Sequence, residues 1–421
     1  MNPNQEASES RLPAACDVLI IGAGPAGASA AALIHQAGLD AVVIERQRFP
    51  RFVIGESLLP HCMDLLEEAD LLEAASSRGY IIKRGALFLR GATRCDFSFT
   101  DQHTRGWDHT WQVPRADFDK TLADAVAARG VPFLYGHEVK GIELARPRPT
   151  LTIADPAGIE HQVTARFVID ASGYGRALPR LLDLDEPSLL PPRQAVFAHV
   201  HGDLRPPGTD TQRIWIIVSK SGGWIWIIPF SNGLTSVGIV GDSAVFANFP
   251  SAPDLCLRAV IDSEPNCERL RGGTWALEPR ALSGYSCAVK QFYGPNFCLV
   301  GNATEFLDPV FSSGVTLALE SANRASKCVI RQLAGETVDW EADYAGPMQR
   351  GTSVFRTFVT RWYSGALPEI IFSTEMSDGI KNKICSVLAG YVWDETNPFV
   401  TNHALKVDQL ARILASRALV A

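Results

Sequence analysis

A glycine pattern near the N-terminus is of the type that binds nucleotide phosphates. It follows the apolar stretch 17–21 and opens an alanine-rich segment that runs to about residue 38. The first glycine permits a tight turn, the second lets the backbone approach a pyrophosphate, and the third lets a helix pack closely on a strand. The start of that helix offers free N–H groups to phosphates. The residues of the pattern are Gly22, Gly24, Pro25, Ala26 and Gly27.

Two residues at the end of the next apolar stretch fit the same nucleotide site. Residues 42–44 are followed directly by Glu45 and Arg46. An acid at this distance accepts a hydrogen bond from a ribose 2′-OH, so we assign both residues to cofactor binding. The alternative is that the glycines only mark a turn. The pattern by itself does not distinguish FAD from NAD.

The stretch 224–229, Trp-Ile-Trp-Ile-Ile-Pro, predicts a strand that is buried on both faces. Trp224 and Trp226 point to one side and Ile225 and Ile227 to the other, because side chains alternate along a strand. Pro229 ends the strand, since it has no N–H for the sheet. The alternative is a core strand in which the tryptophans only pack.

Ser312, Ser313 and Gly314 open an alanine- and leucine-rich helix. Their backbone N–H groups are suited to an anion or to the edge of a flavin ring. The alternative is an ordinary helix N-cap. In the loop 49–60, Ser57 together with Glu56 is placed to touch a flavin edge, although a glutamate such as Glu56 is more often solvated or caps a helix.

Two cations stand out by position. Lys83 lies in a predicted strand, Tyr80–Arg90, where a lysine is normally exposed. Arg115 lies just inside the start of a predicted helix, which is unfavourable for the helix dipole and indicates an anionic partner such as cofactor phosphates. The alternative for Arg115 is a surface salt bridge with Asp119.

The elements that would position these residues predict an α/β fold with several parts. Strand patterns recur through 194–290 and indicate a mostly antiparallel sheet. We predict a disordered tail (1–15), a discontinuous nucleotide-binding domain (16–78, 112–185 and 291–336), a substrate-binding β-sheet domain (79–111 and 186–290) and a C-terminal helical region (337–421).

Composition excludes several classes of protein. The chain has 421 residues, 46% hydrophobic and 20% charged residues, and a net charge of −7, which argues against disorder and against a nucleic-acid partner. Nine cysteines without a C-x-x-C pair, and a pair of histidines (His199 and His201) without ligand spacing, predict no metal site. Without a signal-like segment or an apolar run of about 18 residues, we expect a cytoplasmic protein with no membrane span.

Taken together, the motifs resemble those of the flavin-dependent halogenases, within the larger group of FAD proteins built like the aromatic hydroxylases. The likeness extends over nearly the whole chain from Asp17. Trp224–Pro229 matches the family's W-x-W-x-I-P motif. Phe306, Pro309, Ser312 and Gly314 match its F-x-x-P-x-x-S-x-G motif, and Lys83 matches its active-site lysine. The resemblance implies an FAD-binding Rossmann-like domain of the aromatic-hydroxylase and glutathione-reductase type, with Pro309 and Gly314 at the cofactor.

The resemblance also implies a mechanism. FADH2 reacts with oxygen to give a hydroperoxide, and chloride or bromide attacks it to give hypohalous acid. Ser312, Ser313 and Gly314 would hold the halide, while Trp224 and Trp226 would line a passage that keeps substrate from the flavin. Lys83, best as a buried amine with a lowered pKa, would deliver the halogen to an electron-rich ring.

Two departures from the family pattern bear on cofactor and substrate. Asn302 stands where the family usually has aspartate; it still offers a hydrogen bond to a ribityl hydroxyl. Phe311 replaces the glutamate of the tryptophan-halogenating branch, which favours phenols or pyrroles, often carried on an acyl or peptidyl carrier protein. A single dinucleotide fingerprint predicts that a separate flavin reductase supplies FADH2. The alternatives are a monooxygenase or prenyl-type reductase of the same fold, and a non-catalytic flavoprotein.

Overall fold

The structure, a computed structural model, describes residues 12–145 and 147–418. Residues 1–11 of the predicted tail lie outside the described residues. Leu12 packs against the core, and Ala15 already belongs to the first strand. The described part has two large β-sheets surrounded by helices, so the predicted α/β class is confirmed.

The strands of the described part are numbered in chain order. They are β1 (Ala15–Ile21), β2 (Ala41–Glu45), β3 (Ile81–Lys83), β4 (Gly85–Arg90), β5 (Thr93–Ser98), β6 (Thr110–Gln112), β7 (Phe133–Tyr135), β8 (Glu138–Glu143), β9 (Thr150–Ala154), β10 (Glu160–Asp170), β11 (Asp185–Glu186), β12 (Gln194–His201), β13 (Arg213–Val218), β14 (Trp224–Pro229), β15 (Thr235–Gly241), β16 (Thr274–Ser283), β17 (Ala288–Val289), β18 (Tyr293–Gly294) and β19 (Phe297–Leu299).

The α-helices follow the same convention. They are α1 (Pro25–Gln36), α2 (His61–Glu68), α3 (Leu72–Ser76), α4 (Arg115–Ala127), α5 (Ala177–Leu181), α6 (Ser243–Phe246), α7 (Pro253–Ser263), α8 (Ser313–Leu333), α9 (Gly346–Tyr363), α10 (Ala366–Ile371), α11 (Asp378–Leu388), α12 (Pro398–Thr401) and α13 (His403–Ala418). Within the described ranges, none of these helices has the length and apolarity needed to cross a bilayer.

The first large sheet is built around parallel strands. Its order is β18-β19-β10-β1-β2-β7, and β9 and β8 extend it from β10. Residues 18–21 of β1 and 41–44 of β2 are buried apolar runs, as expected for parallel strands covered on both faces. Ile21 pairs with Ile44 on one side and with Asp170 on the other. The carboxyl ends of β1, β2 and β10 therefore meet at one edge, where open α/β sheets bind ligands.

The second large sheet has the order β16-β12-β15-β14-β13-β4-β5 and is antiparallel except between β13 and β4. All six residues of β14 are buried, so the prediction of burial on both faces is confirmed. Trp224 and Trp226 face the main core, while Ile225 and Ile227 join a second apolar cluster with residues of α7. The edge strand β16 was not predicted, because its ten residues are mostly exposed and include a proline.

The predicted continuous strand Tyr80–Arg90 is wrong. The chain breaks at Arg84, whose N–H donates to the carbonyl of Gln212 (2.8 Å). Strand β4 joins the second large sheet, whereas β3, which carries Lys83, pairs with β6 in a separate two-stranded sheet. The sequence does not reveal this break, because the strand-like pattern of apolar residues continues through the point where the chain passes from one sheet to the other.

Two further predictions concern the helices. The spacing of Leu65, Leu66, Leu71 and Leu72 predicts one amphipathic helix. The structure instead has two helices, α2 and α3, separated at Asp70, which has a left-handed φ of 53°. The C-terminal region is helical as predicted. The strands of the first large sheet lie in the segments assigned to the nucleotide-binding domain, except for Ala15, and those of the second lie in the segments assigned to the substrate-binding domain. The domain boundaries themselves stay a prediction.

Candidate active site

A cavity of about 760 Å³ opens at the edge of the first sheet and reaches the second sheet. Its volume is in the range of ligand and cofactor sites, roughly 300–1,000 Å³. Of the residues predicted for the site, only Gly27, Lys83 and Ser313 are not part of its wall. Those on the wall are Gly22, Gly24, Pro25, Ala26, Glu45, Arg46, Ser57, Arg115, Trp224, Trp226, Asn302, Pro309, Ser312 and Gly314.

The glycine turn has the geometry of a phosphate cradle. Gly22 has a φ of +103°, and a Cβ there would lie 2.5 Å from the carbonyl oxygen of Ala171. A Cβ on Gly27 would lie 1.8 Å from the oxygen of Gly22. Gly24 is the N-cap of α1 and Pro25 its first residue, so the free N–H groups of the first turn lie at the cavity. This arrangement fits a dinucleotide pyrophosphate.

We expect Gly27→Ala to weaken FAD binding by about 100-fold or more, because the new methyl group forces α1 away from the turn that holds the phosphates. A titration monitored by flavin fluorescence measures this. Gly379→Ala is the control, since a Cβ there meets nothing within 4 Å. Binding by Gly27→Ala within about threefold of the wild type would contradict the cradle.

Glu45 is held in place at the end of β2. One carboxylate oxygen accepts from the N–H of Ala23 (2.9 Å) and the other from the N–H of Gln47 (2.8 Å). These bonds point the carboxylate at the cavity and leave lone pairs for a ribose hydroxyl. Arg46 is more exposed and approaches Glu138 at 3.8 Å.

Arg115 forms its salt bridge with Asp119 in the interior, not on the surface. Its Nε and Nη2 donate to the two carboxylate oxygens at 2.7 and 3.1 Å, and Asp119 is fully buried. Arg51 donates to the same carboxylate at 3.2 Å and also lies on the cavity wall. Arg51 also lies 3.7 Å from Glu45, so two cations and two acids meet beside the cavity. Both guanidinium groups lie on its wall, where they can donate to an anionic ligand. No local pattern identifies Arg51, because its partners Glu45 and Asp119 lie 6 and 68 residues away.

Trp224 and Trp226 form part of the cavity wall with their ring centroids 5.8 Å apart. The indole N–H of Trp224 donates to the Tyr363 hydroxyl (3.0 Å), and that of Trp226 donates to Ser236 (3.0 Å). A Cβ on Gly238, opposite Trp226 in β15, would lie 2.4 Å from its ring. Each ring is therefore held by a hydrogen bond, and the Trp226 ring also fills the space over Gly238. The rings pack in the core and also form part of the cavity wall.

The serine turn does not have the geometry of an ordinary N-cap. Ser312 adopts a left-handed conformation (φ 56°), and its side chain caps no N–H of α8. A left-handed residue other than glycine costs about 1–2 kcal/mol, which is typical of functional sites. Asp308 stabilises the preceding turn by accepting from the N–H of Val310 (3.0 Å). Ser313 is buried at the start of α8, and Gly314 lies on the cavity wall.

Lys83 is buried, with 1% of its surface exposed, so the expectation for an ordinary strand lysine is wrong here. Its Nζ donates to the carbonyl of Leu58 (2.7 Å) and lies 5.6 Å from the centroid of the Phe99 ring. Burial lowers the pKa of the amine to about 7. Lys83 does not line the cavity, but Leu58 directly follows Ser57, which does.

A buried acid–histidine pair was not predicted. Glu56 is 1% exposed rather than solvated, and one of its oxygens lies 2.7 Å from Nε2 of His199. The other oxygen has no partner among the described residues. The two residues lie 143 positions apart in the chain, so no local pattern identifies the pair.

Asn302 and Phe311, the two residues that depart from the family pattern, each have defined neighbours in the structure. Asn302 lies on the cavity wall, and its backbone carbonyl accepts from Arg176 (3.2 Å). Phe311 packs edge-on against Phe358 and Trp362, with centroids 6.2 and 6.0 Å away. The position before Ser312 thus belongs to an aromatic wall with α9. In the ranges 12–145 and 147–418 no cluster of metal-ligating side chains is found, and the cysteines are free.

Comparison with known proteins agrees with this site. The FAD binding domain family model matches residues 15–240. The chain is 30% identical to flavin-dependent halogenase armH3 of Armillaria mellea, over 79% of this chain and 71% of that protein. It is 28% identical to a 1H-pyrrole-2-carbonyl-(peptidyl-carrier protein) brominase of Pseudoalteromonas luteoviolacea, over 90% and 92% of the two chains.

Solved structures share the fold over almost their full length. A flavoprotein/dehydrogenase from Cytophaga hutchinsonii superposes with a TM-score of 0.94 at 46% identity, covering 96% of this chain and 100% of that chain. The flavin-dependent brominase Bmp2 superposes with a TM-score of 0.82 at 25% identity, covering 94% and 99%. FAD is therefore the cofactor, and the chain belongs to the family of flavin-dependent halogenases, which are oxidoreductases that use a halide.

Proposed function

We propose that this enzyme installs chloride or bromide on an electron-rich phenol or pyrrole, free or carried on a carrier protein. Reduced FAD would come from a separate flavin reductase, since the sequence holds one dinucleotide fingerprint. The observation that carries the proposal is the Lys83 amine. The amine is buried and donates to the carbonyl of Leu58, the residue that follows Ser57 of the cavity wall. Its pKa is lowered to about 7, so a large share of it is neutral at physiological pH.

The residues of the cavity fit FAD along its length. The Gly22–Gly27 turn would hold the pyrophosphate, Glu45 would accept from a ribose hydroxyl, and Arg115 and Arg51 would donate to the phosphates from beside Asp119. When bound, reduced FAD supplies the reaction of oxygen with halide that yields hypohalous acid. The chain's part is to position the halide, exclude water and carry the oxidant to the substrate.

The halide is assigned to the turn at Ser312–Gly314. The first four N–H groups of a helix have no partner within the helix, and the positive end of the dipole favours an anion. Helix α8 is 21 residues long and begins at Ser313. The left-handed Ser312 leads the chain into this first turn at the cavity wall, so the N–H donors stand beside the cofactor without a competing side-chain cap.

The tryptophans are assigned to separate the substrate from the flavin. Trp224 donates to Tyr363, which in turn donates to Asp308 at 2.8 Å. Asp308 is next to Pro309, so this chain of bonds ties the tryptophan motif to the serine motif through α9. A rigid indole wall keeps a bulky aromatic away from the cofactor and leaves passage only for a small oxidant. That the two rings line this passage remains part of the proposal.

Lys83 is assigned to deliver the halogen. A neutral amine has a lone pair that accepts the proton of hypohalous acid, HOX, or attacks its halogen, giving R–NHX and water. A protonated amine has no lone pair for either step. Burial keeps the lone pair available at neutral pH by disfavouring the charged form.

The substrate class rests on Phe311 and on the relatives. Phe311 provides no carboxylate beside Ser312, so substrates whose rings are already activated are favoured. The brominase of Pseudoalteromonas luteoviolacea acts, by its name, on a pyrrole-2-carbonyl group held by a peptidyl carrier protein. We extend that substrate class, with phenols, to this enzyme.

The proposal is tested by incubating the enzyme with a flavin reductase, FAD and bromide or chloride, and with a panel of acceptors. The panel contains phloroglucinol, simple phenols, and pyrrole-2-carbonyl groups on a carrier protein. Mass spectrometry is expected to find the isotope pattern of one added halogen. A product with one added oxygen and no halogen, or reduced double bonds, would instead support a monooxygenase or a prenyl-type reductase.

A further inference from the structure

Four polar side chains share one face of the small sheet that carries Lys83. Lys83 in β3 is opposite Thr110 in β6, and Gln112 follows two residues later. On the other edge of β6, Ser57 is bridged to Gln112. Residues directly opposite each other, and residues two apart on one strand, point to the same face. Ser57, Gln112, Thr110 and Lys83 therefore form a continuous polar row.

This row is buried, and among the described residues the side chains of Ser57, Thr110 and Gln112 have no hydrogen-bond partner. Ser57 is 4% exposed, Gln112 and Thr110 are 0%, and Lys83 is 1%. Among the described residues, nine buried side-chain atoms have no hydrogen-bond partner, and four of them lie in this row: the Ser57 and Thr110 hydroxyls and both amide atoms of Gln112. Each such atom costs about 1–3 kcal/mol when it stays unpaired. Their concentration here indicates a polar ligand.

The row connects the flavin cavity to the amine. Ser57 lies on the cavity wall. The Lys83 side chain crosses β6 and donates to the carbonyl of Leu58, the residue after Ser57. Neighbouring side chains in such an arrangement have Cβ atoms about 5–7 Å apart. A molecule of two heavy atoms bound to one of them is within reach of the next.

We propose that Ser57, Gln112 and Thr110 bind the hypohalous acid on its way from the flavin cavity to Lys83, as positioning residues for halogenation. Hypohalous acid has one O–H donor and an acceptor oxygen. A glutamine amide and a hydroxyl each offer both functions, so they bind it in either orientation. None of the three groups is an amine or a thiol that would consume the oxidant. This inference rests on the proposed function.

The test replaces polar atoms at nearly constant shape, with Thr110→Val, Gln112→Leu and the double variant. With the acceptor that the wild type halogenates, we measure halogenated product per O2 consumed and the free oxidant trapped by monochlorodimedone. We expect product per O2 to fall about tenfold or more in the double variant, comparable to the loss of a positioned group, while trapped oxidant rises. FAD affinity should stay within about twofold of the wild type.

Stability is the second readout. Because the replaced atoms have no partner in the protein, the midpoint of thermal unfolding is expected to stay level or rise. Ser326→Ala is the matched control, since its hydroxyl is also buried and without a partner, but lies on α8 outside the row. Ser326→Ala should change neither the halogenated product per O2 consumed nor the amount of trapped oxidant.

The outcomes separate this inference from the proposed function. A double variant that halogenates as efficiently as an active wild type would overturn the inference alone. So would a loss of product without a rise in trapped oxidant, because the acceptor and not the oxidant would then have lost its site, or a loss accompanied by weakened FAD binding. A wild type that halogenates no acceptor of the panel would overturn the proposed function, and this inference with it.

Discussion

Lys83→Met is expected to reduce halogenation by about 10²–10⁴-fold, the range found when a positioned acid or base is removed. Methionine fills a similar volume but has no lone pair on nitrogen for the oxidant. Because its thioether can itself reduce hypohalous acid, Lys83→Ala is measured beside it and should lose halogenation equally. Oxygen consumption by reduced flavin should continue, because the Lys83 side chain is not on the wall of the cavity that we assign to FAD. Halogenated product and oxygen consumed are measured together, with Lys120→Met, an exposed lysine on α4, as control.

The same variant should be more stable than the wild type at neutral pH. A lysine whose pKa is about 7 in the folded state and 10.5 as a free side chain destabilises the fold most strongly below pH 7. The cost is about 4 kcal/mol at pH 7 and disappears above pH 10.5. The variant also loses the hydrogen bond to the carbonyl of Leu58, which reduces the expected gain in stability by about 1 kcal/mol. Thermal unfolding from pH 6 to 10 measures the difference. Full halogenation by the variant, or a stability gain that grows with pH, would contradict the role of Lys83.

Asp119→Ala is expected to destabilise the protein by about 3–5 kcal/mol and to weaken FAD binding, because breaking a buried ion pair leaves charge without a partner. In this structure two guanidinium groups, Arg115 and Arg51, lose the same acid. Both lie on the cavity wall, so the cavity should lose its shape as well as its stability. Thermal unfolding with and without FAD measures both effects.

A control for this variant is available on the same helix. Lys120 and Asp124 are also four residues apart, but both side chains are about half exposed. Asp124→Ala should cost no more than about 1 kcal/mol, since exposed pairs contribute little. Equal losses from the two variants would show that the buried bridge has no special role at the cofactor site.

Much of the fold follows from local sequence. The glycine pattern, the alternation of Trp224–Pro229 and the apolar runs of β1 and β2 each depend on neighbours within a few residues, and the structure confirms these elements. Burial on both faces of β14 was predictable for the same reason. Predictions failed where a strand changed partners, as at Arg84, or was exposed at an edge, as β16.

The site was only partly predictable. Trp224, Trp226 and Ser312 lie in motifs, so the sequence identifies them. Glu56, by contrast, owes its environment to His199 in another sheet. The row of Ser57, Gln112 and Thr110 exists only because β6 lies between β3 and the 57–58 segment. Nothing in the sequence near residue 83 signals that its lysine is buried.

The protonation of Lys83 tests the central claim most directly, and it needs no substrate. Protein carrying ¹³C at the lysine ε-carbons is titrated by NMR between pH 5 and 11, and Lys83→Met identifies the resonance of Lys83. We expect a midpoint near pH 7, as burial of the amine requires. A midpoint near 10.5, the value of an ordinary solvated lysine, would contradict both the buried neutral amine and the halogen delivery assigned to it.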